Sequence, residues 1–145
     1  MKYFGEEDLQ NMEDIKYKNP IPSFQTVEEM VDFVVEKTEE ILESEEFQKE
    51  HQGTNWMQME LDYLSMNEEN HGKLIRLYQN AELLPYLVDI QKLAENMSKV
   101  ETKRISKAWG LTEELQREDP NKYNGLLRNM ESSVREIVMR YVIEG

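Results

Sequence analysis

Apolar residues recur at a helical period through most of this chain, and no segment alternates polar with apolar long enough to argue a strand. The clearest stretch is Tyr123, Leu126, Leu127, Met130, Val134, Ile137, Val138, Tyr141 and Val142, whose steps of 3, 1, 3, 4, 3, 1, 3 and 1 keep all of them on one helix face. Asp119 is a good N-cap for this helix, and Pro120 suits the first position, where its missing N–H leaves no bond unmade. Near the other end Val27, Met30, Val31, Val34, Thr38, Ile41 and Leu42 step by 3, 1, 3, 4, 3 and 1, behind Thr26 and Glu29 at capping-box spacing. The pattern predicts an all-α fold, a compact helical bundle of about five helices with short connections.

The first helix is expected over 26–52, stopped by Gly53. A second contains Trp56, Met57, Met59, Glu60, Leu61, Tyr63, Leu64 and Met66 and ends in the polar run 67–72. A short third carries Leu74, Ile75, Leu77 and Tyr78. A long fourth runs from Pro85 to Trp109 with Leu87, Ile90, Leu93, Ala94, Met97, Ile105 and Ala108 inward. Gly110 followed by Leu111 reads as a C-terminal cap with its hydrophobic contact, and Thr112, Glu113 and Glu114 open a short helical turn. Residues 1–25, interrupted by Pro20 and Pro22, read as an irregular arm with Tyr3, Phe4, Ile15, Tyr17 and Phe24 as possible anchors. The remainder, 26–145, reads as a single helical domain made of the acidic helix 26–52 and a core over 56–145.

Charge is unevenly distributed. Residues 1–70 hold 19 Asp and Glu against 5 Lys, and residues 71–145 hold 11 acids against 12 Lys and Arg, so the net −13 divides as −14 and +1. Long-range electrostatics selects partners and encounter rates, so a basic protein surface is the partner to expect. The absence of Cys removes thiol catalysis, thiolate metal sites and disulfides together and fits a reducing cytoplasm. No stretch approaches the ~20 apolar residues of a membrane helix, and the first residues lack a signal-peptide pattern, so a soluble cytoplasmic protein without membrane contact is expected.

Phosphate-cradling glycine loops, the nucleophile elbow, the zinc helix and the calcium loop are all missing from the sequence. His51 and His71, its only imidazoles, fall in separate connections and are expected to be exposed. No catalytic residue, metal site or cofactor is assigned, and an enzyme is not expected. Trp56, Trp109 and the nine Met are expected to fill core gaps.

Two charged surfaces remain. Ten acids lie between residues 28 and 50, which on a continuous helix is one per ~3.3 Å, close to the ~3.4 Å per charge of one DNA strand. Glu36, Glu39, Glu40, Glu43, Glu46 and Glu50 are the candidate partner-binding residues. The bland alternative is a solvated face that keeps a small protein soluble. Opposite in sign, Lys92, Lys99, Lys103 and Lys107 form one stripe on the long helix with Arg104 beside it, the alternative nucleic-acid-binding surface. Glu95 and Glu101 dilute it, so direct nucleic-acid binding is the weaker expectation.

From about Trp56 to Ile143 the chain resembles the TnpV family of small proteins encoded by transposons and other mobile elements of Gram-positive bacteria. The likeness rests on the order of Leu83-Leu84-Pro85-Tyr86-Leu87-Val88-Asp89-Ile90, Gly110-Leu111-Thr112-Glu113-Glu114-Leu115, Arg128-Asn129-Met130-Glu131 and Arg135-Glu136-Ile137-Val138-Met139-Arg140. It implies a role in mobile-element biology, with no catalytic residues to carry over. Where family members tend to be basic, this chain reads Ser65-Met66-Asn67-Glu68-Glu69-Asn70-His71-Gly72, and its acidic first helix has no counterpart there. Both departures point toward a protein target. The leading expectation is a non-enzymatic, nucleic-acid-mimicking inhibitor of a host defence enzyme, in the manner of an anti-CRISPR protein blocking a basic channel. The alternatives are an excision or transposition accessory acting on DNA ends or the recombinase, and a dimeric structural adaptor.

Overall fold

The computed structural model describes residues 17–145. Seven α-helices follow in order: α1 (Val27–Leu42), α2 (Glu45–Glu50), α3 (Asn55–Met66), α4 (His71–Gln79), α5 (Leu83–Ala108), α6 (Glu113–Glu118) and α7 (Pro120–Val138). A 3-10 turn, Glu68–Asn70, leads into α4, and a π turn, Met139–Ile143, prolongs α7. No strand occurs among the described residues, and the fold is an all-α bundle.

Several helix ends follow their local chemistry. The Thr26 hydroxyl accepts the Glu29 N–H and in turn donates to the Glu29 carboxylate, a variant of the expected capping box. Asp119 accepts the Lys122 N–H with Pro120 next to it, and Thr112 caps α6. At the end of α5, Gly110 takes φ +68°, which lets the Leu111 N–H reach the Ser106 carbonyl and the Gly110 N–H reach that of Lys107. These two bonds make a Schellman motif, and Leu111 packs back onto the core. The α4–α5 corner has the same pair of bonds without a glycine. Ala81 takes φ 57°, donating to Tyr78, while Glu82 donates to Leu77.

The continuous helix expected over 26–52 is broken. Ser44 donates its hydroxyl to the Ile41 carbonyl and accepts the Phe47 N–H, ending α1 and starting α2, and the Gln48 amide donates to the Leu42 carbonyl at 2.6 Å. A serine hydroxyl that competes with the backbone in this way stops a helix well before Gly53.

Two apolar clusters share α3 and α5. In one, Val31, Val34 and Leu42 of α1 meet Met57, Leu61 and Leu64 of α3, Leu74 of α4 and the start of α5. The acidic helix is therefore docked on the bundle through its apolar stripe. In the other, Trp56 of α3 meets Ile90, Ala94 and Ile105 of α5, Met130, Val134 and Val138 of α7, and Ile143. The inward set expected on α5 needs correction. Leu93 is 57% exposed because it lies off the buried side of α5 that carries Leu87, Ala94 and Ile105, and Ala108 faces solvent at the end of the helix. Of the proposed arm anchors, Tyr3, Phe4 and Ile15 lie outside the described residues, and Tyr17 is exposed. Phe24 stacks on Phe33 at 5.8 Å, and the Asn19 N–H ties the arm to the Gln79 carbonyl.

The N-terminus of α3 is capped from a distance. Thr54 offers it no side-chain bond. Instead the Gln91 carbonyl oxygen, on α5, accepts the N–H groups of Trp56 at 2.8 Å and Met57 at 3.1 Å, while the Gln91 amide donates to Asn55 and Glu95. Gln91 is 4% exposed, and its four bonds satisfy the polar groups that burial would otherwise strand.

Candidate functional site

Burial of Val31, Val34, Thr38 and Leu42 decides which way the rest of α1 looks. At 100° per residue the side away from this stripe carries Glu29, Asp32, Glu36, Glu40 and, at the cap, Glu43, with Glu39 on its flank, while Glu28 turns toward α4 and lines a recess with Val27, His71 and Ile75. Asp32, Glu36, Glu39, Glu40 and Glu43 line one shallow depression of about 390 Å³ with Val35. Glu39 is half-buried and accepts from the Gln58 amide at 3.3 Å; the other four acids are exposed. Lys37 borders the stripe, 5.8 Å from the Phe33 ring centre and 3.9 Å from Glu40. Glu28 and Glu29 in the first turn also face the positive end of the helix dipole, which favours them there.

The break at Ser44 divides the six candidate acids. Glu36, Glu39, Glu40 and Glu43 remain together, whereas Glu46 and Glu50 belong to α2 on a different axis. Glu50 lines a separate recess with His51, Gln91, Lys92 and Glu95, so one residue of the acidic set and one of the lysine stripe, distant in sequence, border the same recess without pairing. Lys92, Lys99, Lys103 and Lys107 are all exposed along the outer side of α5, and Arg104 is held by Glu101 at 2.7 Å.

Sequence reasoning placed Glu60 on a helix and missed its setting. Glu60 is 2% exposed, wedged among α3, α4 and α5. The Tyr86 hydroxyl donates to its Oε1 at 2.6 Å, Lys73 donates to the Tyr86 oxygen at 3.0 Å, and Oε2 has no partner among the described residues. Burial pushes the Glu60 carboxyl above its ordinary range, against the opposing effects of the Tyr86 bond and the Lys73 charge. The Tyr86 hydroxyl is likewise pushed up, first by burial and then by Glu60. One sequence signal was available, since Glu60 falls four residues from both Trp56 and Leu64 on a buried helical period.

The histidines are not the exposed groups expected. His51 is half-buried with its ring 4.4 Å from that of Phe47, and the His71 Nε2 meets the Ser65 carbonyl at 2.6 Å. Trp56 is buried as expected, but Trp109 is 40% exposed beyond the end of α5. Among the described residues no three His, Asp or Glu are gathered as metal ligands, and no helix is long and apolar enough to cross a membrane. No protein-family model, curated protein or solved structure matches the chain.

Proposed function

We propose that this protein is a non-enzymatic acidic decoy that occupies the basic nucleic-acid channel of a host defence enzyme. A guided nuclease of the CRISPR type is the first target to test, because its heteroduplex channel is rich in Lys and Arg. The observation that carries the reading is the undivided acidic face of α1. Its six acids from Glu29 to Glu43 extend over roughly 21 Å, one per ~4.2 Å, of the same order as the ~3.4 Å charge spacing of a nucleic-acid strand. Docking α1 on the bundle holds the backbone of that row in place, so a partner orders little backbone when it binds. The TnpV resemblance supports a setting on a mobile element, where an inhibitor of host defence has a use.

The test is charge reversal on the face α1 presents. With Asp32, Glu36, Glu40 and Glu43 all changed to Lys, helicity should persist and inhibition of target cleavage should be lost. Reversing Glu46 and Glu50 on α2 should weaken inhibition less. Undiminished inhibition by the four-residue variant would sink the mimic mechanism.

A second reading rests on the lysines of α5, which form one exposed row without an ion-pair partner among the described residues. An excision or transposition accessory would use them on duplex DNA, with affinity declining steeply as salt rises. If changing all four to Ala leaves excision in cells unaltered, that surface has no such role.

A further inference from the structure

The groove between α5 and α7 differs in chemistry from the acidic face of α1. It is an open groove of about 470 Å³ between Ser98 and Thr102 of α5 and the exposed Arg128, Glu131, Ser132 and Arg135 of α7, over Trp56 and Val134. That volume lies within the ~300–1,000 Å³ range of small-ligand sites. Arg128 and Arg135 stand two helical turns apart on one side of α7, with ~10 Å between them along the axis, so their long side chains can converge.

Neither arginine has a counter-ion among the described residues. The ion pairs among the described residues are Lys37–Glu40 and Arg104–Glu101. Glu131 sits three residues after Arg128 and four before Arg135, spacings that commonly pair on a helix, yet it reaches neither. The hydroxyls of Ser98, Thr102 and Ser132 also make no side-chain hydrogen bond among the described residues. In a chain with 30 acids against 17 bases, two forked cations and three hydroxyls line one cavity without partners among the described residues.

We propose that this groove binds a phosphate-bearing anion, with the Arg128 and Arg135 guanidinium groups as the forks and Ser98, Thr102 and Ser132 as supporting hydroxyls. Guanidinium forks match phosphate oxygens in pairs. A phosphoryl group, with three acceptor oxygens, serves both arginines and the hydroxyls together better than a carboxylate with two. Glu131 weakens the site by like charge and discriminates against anions that approach its side of the groove. The site is built without α1 and stands independently of the acidic-decoy reading.

Because the sequence has two tryptophans, the full chain with Trp109→Phe leaves Trp56, under the groove, as the single tryptophan to be excited selectively over the tyrosines. This protein is titrated with inorganic pyrophosphate and, separately, with a short oligothymidylate. Each arm is followed by Trp56 emission and calorimetry, and circular dichroism monitors the fold. Saturable binding is expected, weakened at least ~10-fold by Arg128→Gln with Arg135→Gln, partly restored when both are Lys instead, and tightened by Glu131→Gln. Tighter binding of pyrophosphate identifies a free phosphorylated compound as the source, and tighter binding of the oligonucleotide identifies strand phosphates. Absence of binding in both arms, or equal binding by the folded double-Gln variant, would overturn the assignment.

Discussion

Replacing Gln91 with Leu keeps most of the side-chain volume and removes every polar contact at the start of α3. The Trp56 and Met57 N–H groups then lose the acceptor they hold at 2.8 and 3.1 Å. An orphaned buried donor costs roughly 1–3 kcal/mol. The neighbouring recess, lined by Gly53, Met57 and Lys92, gives water a path to this helix end and favours the lower half of that range for each N–H. The expected loss is about 2–4 kcal/mol, a large part of the ~5–15 kcal/mol that holds a typical domain together. At ~2–4 °C per kcal/mol for domains near this size, the midpoint should fall by roughly 4–16 °C. Urea unfolding followed by circular dichroism, with the slope held common to the variants, measures the loss directly. Two companions locate it. Thr54→Ala, at the nominal cap position, should change stability by less than ~0.5 kcal/mol because its hydroxyl gives α3 no bond. Gln91→Glu keeps the acceptor but sets a carboxylate where the amide now meets Glu95 at 2.8 Å, so it should fall between parent and Leu. A Gln91→Leu protein as stable as the parent, or a Thr54→Ala protein weaker than Gln91→Leu, would refute a cap supplied from α5.

The positive-φ pair predicts opposite outcomes. Ala81→Gly should stabilise the chain by about 1 kcal/mol, and Gly110→Ala should destabilise it by a similar amount; equal signs in urea titrations would contradict the helix-end geometry. Glu60 predicts a pH dependence. Its folded-state pKa lies above the ordinary 4.5, so the folded protein binds the proton more tightly than the unfolded chain. This group's contribution to stability therefore declines as pH rises from about 4.5 through the raised value, and is level above it. Glu60→Gln should flatten the stability profile in that window, and parallel profiles for variant and parent would show that burial does not govern this carboxyl.

Helix content and several helix ends were legible in the sequence because they depend on residues a few positions apart. The steps of apolar residues marked α1 and α7, Thr26 and Asp119 announced their starts, and Gly110 with Leu111 announced the end of α5. The acidic face of α1 was also legible, since fixing the apolar stripe fixes the opposite side. Ser44 is a local signal that a reading focused on Gly53 passed over. It divides the six candidate acids into a co-facial four and an outlying pair. What no local pattern contains is the match between distant residues. Gln91 caps a helix 35 residues away, Glu60 is enclosed by Tyr86 and Lys73 from two other helices, Glu50 and Lys92 border one recess, and Arg128 and Arg135 line one groove with Ser98 and Thr102. Periodicity states which side of a helix is buried; only the packing of one helix on another states what that side, and its polar margins, will touch.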